Sequence, residues 1–194
     1  KPLTGYVNPL IGTQEMGHTF PGACVPFGFV QLSPDTDTIP YDKDGKYNPG
    51  VYRYCAGYQY LDKTIVGFSH THFNGTGHSD LGDFLIMPSV GKLQLNPGTS
   101  DHPETGYRSR FRHETEQASP GYYKVHLDDP NVDAELTATP RTGFHQYTFP
   151  GTDSAHFILD MLHGIYNWDG KVLWAYVKVH NDTLITGYRI TRGW

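Results

Sequence analysis

Short runs that alternate apolar and polar residues recur along the whole chain, each closed by a turn signal, and no segment holds a helical period for three turns. Strands are predicted over 29–32, 64–68, 84–87, 92–95, 107–112, 122–127, 134–139, 144–149, 155–162, 173–179 and 184–191. Tyr123, Val125 and Leu127 share one face of such a strand, with Lys124 and His126 on the other. Pro97-Gly98, Asp129-Pro130-Asn131, Pro150-Gly151, Asp169-Gly170 and Asn181-Asp182 supply the turns between them. Many short strands at this spacing predict an all-β, antiparallel β-sandwich of the supersandwich type. The first sixty or so residues are different: Pro26-Phe27-Gly28, Ser33-Pro34-Asp35 and the stretch 42–50 read as long connections, kept in order by their aromatic and glycine content.

With 194 residues, 22 glycines and 14 prolines, the chain fits one domain over 1–194 with a real core and many tight turns. A net charge of −5 without any basic run excludes a nucleic-acid partner, because phosphate binding needs clustered Lys and Arg. The absence of a long apolar run predicts no membrane span. Lys1-Pro2-Leu3-Thr4 has none of the features of a signal peptide, which is compatible with an exported protein whose leader is gone. Cys24 and Cys55 permit one disulfide and read more naturally as small core residues. The strand at 184–191 is followed almost at once by Trp194, with no polar tail behind it. An unprotected apolar edge of this kind reads as the N-terminal piece of a longer polypeptide.

The chemistry-bearing side chains concentrate in one place. His70, His72, His78, Asp80 and Asp83 lie in a glycine-rich segment between two apolar runs, so the segment reads as a loop that approaches a ligand closely. His70 and His72 are two apart, and on extended chain their rings would lie on one side and converge on a metal, as in a cupin. No Glu follows the pair to complete such a site, so bonding to a ligand or to the site wall is the stronger expectation. Asp80 and Asp83 would sit on the same side of any sugar. That suits hydroxyl binding better than acid/base work, which needs carboxylates on opposite sides of the scissile bond, roughly 5–9.5 Å apart. A second candidate is the 17–23 turn, where Gly17 and Gly22 frame His18 and Phe20. Aromatic faces stack on sugar C–H faces, and an adjacent imidazole bonds hydroxyls. Arg141, His145 and His163 read as braces of loop structure.

Together these segments resemble the N-terminal domain of glycoside hydrolase family 92, the calcium-dependent exo-α-mannosidases. The resemblance is carried by Tyr6-Val7-Asn8-Pro9-Leu10-Ile11-Gly12-Thr13, the 17–23 turn, Pro26-Phe27-Gly28 and Gln31-Leu32-Ser33-Pro34-Asp35-Thr36. It continues through Gly57-Tyr58, Gly67-Phe68-Ser69-His70-Thr71-His72, Gly75-Thr76-Gly77, Asp80-Leu81-Gly82-Asp83, Ser119-Pro120-Gly121-Tyr122-Tyr123, Ala134-Glu135-Leu136-Thr137-Ala138-Thr139 and Gly143-Phe144-His145. The resemblance implies a β-sandwich followed by an (α/α)6 barrel, with the active site at their junction. It also implies an inverting exo-α-mannosidase, of α-1,2 type, acting on mannose-rich glycans such as N-glycans.

On that resemblance the general acid, the general base and most ligands of the calcium lie in the barrel, so no catalytic residue falls in this chain and the piece alone is inactive. What falls here is one wall of the mannose site, with His18, Phe20, His70, His72, Thr76, Asp80 and Asp83 as substrate-binding residues and none as metal ligands. The implied partners are the mannose-containing glycan and the barrel of the same polypeptide, and the implied location is the periplasm or cell surface. Two other classes compete: a carbohydrate-binding or scaffold module without chemistry of its own, and a His-x-His metal enzyme of cupin type.

Overall fold

A computed structural model describes residues 2–75 and 80–193. The chain first lays down β1 (Ala23–Cys24), β2 (Gln31–Asp35), β3 (Gly67–Ser69) and β4 (Leu85–Val90), then the meander β5 (Gln117–Ser119), β6 (Tyr122–Leu127), β7 (Val132–Ala138) and β8 (Gly143–Thr148). Strand β9 (Ala155–Asp160) follows, and β10 (Val172–Asn181) and β11 (Leu184–Thr191) close the order. One sheet runs β1-β2-β3-β4-β9 and the other β5-β6-β7-β8, with antiparallel pairing throughout both. This is the antiparallel β-sandwich that the alternation predicts.

Register explains why the two sheets meet. Tyr123 pairs with Leu136, Val125 with Ala134 and Leu127 with Val132, so the apolar residues of β6 and β7 fall on one face. From the facing sheet, Leu32, Phe68, Leu85 and Met87 join them in one buried cluster. Each such side chain removed from water stabilises the fold by about 1.5–3 kcal/mol. The long N-terminal connections are ordered as short pieces, among them a single turn-like helix over Pro49–Tyr54 and a small ribbon between Asp42–Lys43 and Lys46–Tyr47.

Three expectations are corrected. Residues 92–95 form no strand: the chain turns at Gly91 (φ +88°), leaves its pairing partner β9 at Val90, and exposes Leu93 and Leu95. The expected 64–68 strand is broken in two, with Thr64–Ile65 pairing to Ser109–Arg110 and only Gly67–Ser69 joining the main sheet. Strands β10 and β11 pair with each other and, among the described residues, with neither sheet, and their apolar residues stand in solvent on both faces. Cys24 and Cys55 are free thiols.

Candidate functional site

The site is organised by a buried carboxylate that ends β2. Asp35 is fully buried, and an isolated buried charge would be untenable without partners. Three arrive, Ser69 and His72 from the end of β3 and just beyond it and His163 from the turn after β9. His72 Nε2 lies 2.8 Å from Oδ1, His163 Nε2 lies 2.7 Å from Oδ2, and Ser69 Oγ donates to Oδ2 at 2.7 Å. The other ring nitrogen of His72 donates to the carbonyl of Gln31 at 2.7 Å. Both nitrogens of that ring therefore face acceptors. Burial by itself raises the Asp35 pKa, but His72 and His163 outweigh it and hold the carboxyl well below the usual carboxylate range. Gly57, at φ +78°, closes this cage: a Cβ there would stand 2.1 Å from Asp35 Oδ1.

His70, two residues before His72, meets a different environment. Its Nδ1 donates to the carbonyl of Phe84 at 2.7 Å, which leaves Nε2 as an acceptor 3.1 Å from His145 Nε2. His145 Nδ1 in turn accepts from the Tyr147 hydroxyl at 2.8 Å. The donors run in one direction only when both rings are neutral. Desolvation lowers the pKa of both; His70 pushes the same way on His145, which falls to about 3, and His72 adds to the lowering at His70.

The far end of the loop is held by an ion pair. Arg189 on β11 approaches Asp83 Oδ1 through Nε at 3.0 Å and Nη2 at 2.5 Å, while Thr71 Oγ1 donates to Oδ2 at 2.5 Å. The remaining arm of Arg189 donates to the carbonyls of Met161 and His163. The turn after β9 is thereby tied to both Asp35 and Asp83. The stems of the loop pair through His70 N to Asp83 O and Gly82 N to Thr71 O, both at 2.9 Å.

A cleft of about 630 Å³ opens beside this scaffold. The 17–23 turn supplies Thr19, Phe20 and Gly22, and the loop supplies His72, Phe73 and Asn74. Asn74 Oδ1 accepts from Phe20 N at 3.1 Å, so the two segments brace each other across the floor. Phe20 also packs on the His72 ring, centroids 5.3 Å apart. Phe27 stands fully exposed on the rim at φ +58°.

Of the residues singled out from sequence, Phe20 and His72 line this cleft and His18, His70, Asp80 and Asp83 do not. His18 is buried edge-on against Tyr52 at 4.7 Å, and its Nε2 has no hydrogen-bond partner among the described residues. Asp80 is half-buried. Thr76 and His78 lie outside the described residues. Strand β3 stops at Ser69, before His70 and His72, and all four of their ring nitrogens already have partners. The described residues hold no group of three or more His, Cys, Asp or Glu arranged for a metal. A calcium ion wants six to eight oxygens, and with Asp83 committed to Arg189 these residues do not assemble them.

Sequence reasoning missed Asp35, His163 and Arg189 as parts of one scaffold. The available signal was an acidic residue inside an otherwise buried strand, because such a charge needs partners brought from elsewhere.

Residues 6–194 match the profile of the Glycosyl hydrolase family 92 N-terminal domain. The chain belongs to this family. A family GH92 α-mannosidase from Bacteroides thetaiotaomicron, solved in complex with mannoimidazole, is similar over 100% of this chain at 42% identity and a TM-score of 0.88, and 24% of that chain is covered. A family GH92 inverting mannosidase from the same bacterium shares the fold at 24% identity and a TM-score of 0.68, again with 24% of its chain covered. An uncharacterized secreted glycosidase of Arthroderma benhamiae is 29% identical over 75% of this chain and 17% of its own length. The chain thus spans a quarter or less of the length of these relatives.

Proposed function

We propose that this chain is the N-terminal β-sandwich domain of a longer, exported exo-α-mannosidase that inverts configuration, acts on mannose-rich glycans with α-1,2 linkages, and uses the cleft described above as one wall of its mannose site. The observation that carries the reading is the meeting of the 17–23 turn and the start of the 70–83 loop on a single concave surface. Family membership and the mannoimidazole complex of a 42% identical relative support the substrate class. The secreted fungal relative supports export, to the periplasm or the cell exterior.

In this reading Phe20 offers its ring to the apolar face of the sugar, and Gln31 and Asn74 offer polar side chains to hydroxyls. The Asp35 cage holds His72, and through it Phe20, in fixed geometry, so that binding costs little rearrangement. No carboxylate lines the cleft among the described residues, which supports assigning proton transfer to the remainder of the enzyme. There an acid would protonate the departing oxygen while a base activates water on the opposite face. A calcium ion would take its ligands mainly from that second part and would engage the sugar hydroxyls.

The test compares two proteins on α-1,2-mannobiose, with the anomer of the released mannose followed by proton NMR. The full-length enzyme should release β-mannose first and the 194-residue chain none. In the full-length enzyme Phe20→Ala should raise KM about tenfold, the effect of losing one aromatic contact. Turnover by the highly purified short chain, or a full-length enzyme inert toward mannosides, overturns the reading.

A further inference from the structure

Phe27 combines backbone strain with full exposure of its ring, and it does so at the mouth of the cleft. It occupies the third seat of a turn closed by Gly28 N, which donates to the Val25 carbonyl at 2.9 Å. At φ +58° this seat favours glycine or asparagine, and a bulky side chain is strained in it. Glycine is the very next residue, yet the phenylalanine holds the strained position. A single exposed phenylalanine needs no explanation on its own. One that is also strained, on the rim of a cleft, has the character of a binding residue.

The surroundings hold the turn in place. Phe29 N donates to the Pro140 carbonyl at 2.7 Å, which ties the turn to the connection between β7 and β8. Gln31 Nε2 donates to the Gly28 carbonyl at 2.7 Å, and Gln31 Oε1 accepts from His72 N at 3.2 Å. One side chain of β2 thus links the turn to the stem of the 70–83 loop. Two phenylalanines therefore line the cleft at different depths: Phe20, buried against His72, and Phe27 on the rim. No Lys, Arg, Asp or Glu lines it among the described residues, which suits an uncharged ligand. The C–H face of a sugar is such a ligand surface for the electron-rich face of an aromatic ring.

We propose that Phe27 is a specificity-determining residue: its ring stacks on the second hexose of the glycan, the one that departs, while Phe20 serves the terminal mannose. The proposal rests on the mannoside reading and extends it to the leaving-group side of the same cleft. An exo-acting enzyme encloses the terminal sugar and leaves the next one toward solvent, the side on which Phe27 stands. That second sugar is neutral, because the described lining offers no Lys or Arg to a phosphate or a carboxylate.

The test uses the full-length enzyme and two substrates: the α-linked mannobiose that wild type cleaves fastest, and α-mannosyl fluoride, whose leaving group has no ring to stack. In Phe27→Ala the ratio of kcat/KM for the mannobiose to that for the fluoride should fall about tenfold, the scale of one aromatic contact. Phe20→Ala should lower both constants together and hold the ratio. Phe27→Tyr should keep the wild-type ratio. Phe27→Gly, relieved of strain, should lose the ratio and melt at a higher temperature. A ratio unchanged in Phe27→Ala overturns the proposal. So does a lower melting temperature for Phe27→Gly, the mark of a ring that anchors another protein surface. Wild-type enzyme that cleaves the fluoride and no mannobiose overturns it as well, whereas wild type inert toward both substrates overturns the mannoside reading beneath it.

Discussion

His70 and His72 carry the same ring two residues apart on one loop stem, yet the fold gives them entirely different partners. His72 is pressed against the buried Asp35 carboxylate and has acceptors at both nitrogens, so its ring serves as a brace of a buried carboxylate. His70 hands its one proton to a carbonyl and receives another from His145, so its site favours the neutral ring. Residue type and spacing are identical for the two. What separates them is a partner: an anion from β2 in one case, a second imidazole from β8 in the other. A histidine pair two apart is therefore no evidence for shared chemistry until its partners are known.

The contrast can be broken most severely at Asp35. Asp35→Asn leaves two histidines facing an amide in the interior and should cost about 3–5 kcal/mol, the penalty for stripping one partner from a buried ion cluster. Urea denaturation at neutral pH measures it. Because the Asp35 pKa is depressed in the fold, its contribution is complete above the ordinary carboxylate range and fades only as pH falls below it. The gap between wild type and Asp35→Asn should stay constant on mild acidification.

His70 and His145 should show the opposite behaviour. A base whose pKa is lowered by folding is protonated more readily in the unfolded chain, so stability falls as pH drops below the ordinary imidazole value. For His145, lowered to about 3, the loss should reach about 2–3 kcal/mol near pH 4. His145→Gln should flatten this part of the stability–pH curve. An equal slope in wild type and variant would show that the pair is not neutral.

The smallest expected effect lies between the two rings. Thr71 donates to Asp83 Oδ2 and accepts from Asp83 N at 3.0 Å. Thr71→Val removes both bonds and should cost about 1.5–2 kcal/mol, the low end for a hydrogen bond to a charged group, with both histidine environments left intact. Nuclear magnetic resonance of the His70 and His72 rings would report any wider disturbance.

Much of the sandwich was legible in the sequence because alternation encodes it directly. The predicted span 122–127 is β6, the predicted span 184–191 is β11, and Tyr123, Val125 and Leu127 are buried as their period requires. Local pattern misled at 92–95, where alternation is present but no neighbouring strand continues far enough to pair with it. The cleft was half legible. Phe20 and His72 were found from glycine-framed turns, whereas the scaffold behind them was not. Asp35 meets His163 across 128 residues and Asp83 meets Arg189 across 106. Contacts at that separation are fixed by sheet order, and nothing in the local spacing of either partner announces them.

The ribbon of β10 and β11 has a practical consequence. Trp174, Val177, Ile185 and Ile190 are each roughly half exposed, and among the described residues each strand has one unpaired edge. Such a surface acts as an adhesive. The handling of this chain in solution would be set by colloidal attraction rather than by the strength of its core: clouding should track concentration more than temperature, and sulfate, by strengthening burial of apolar surface, should bring it on sooner.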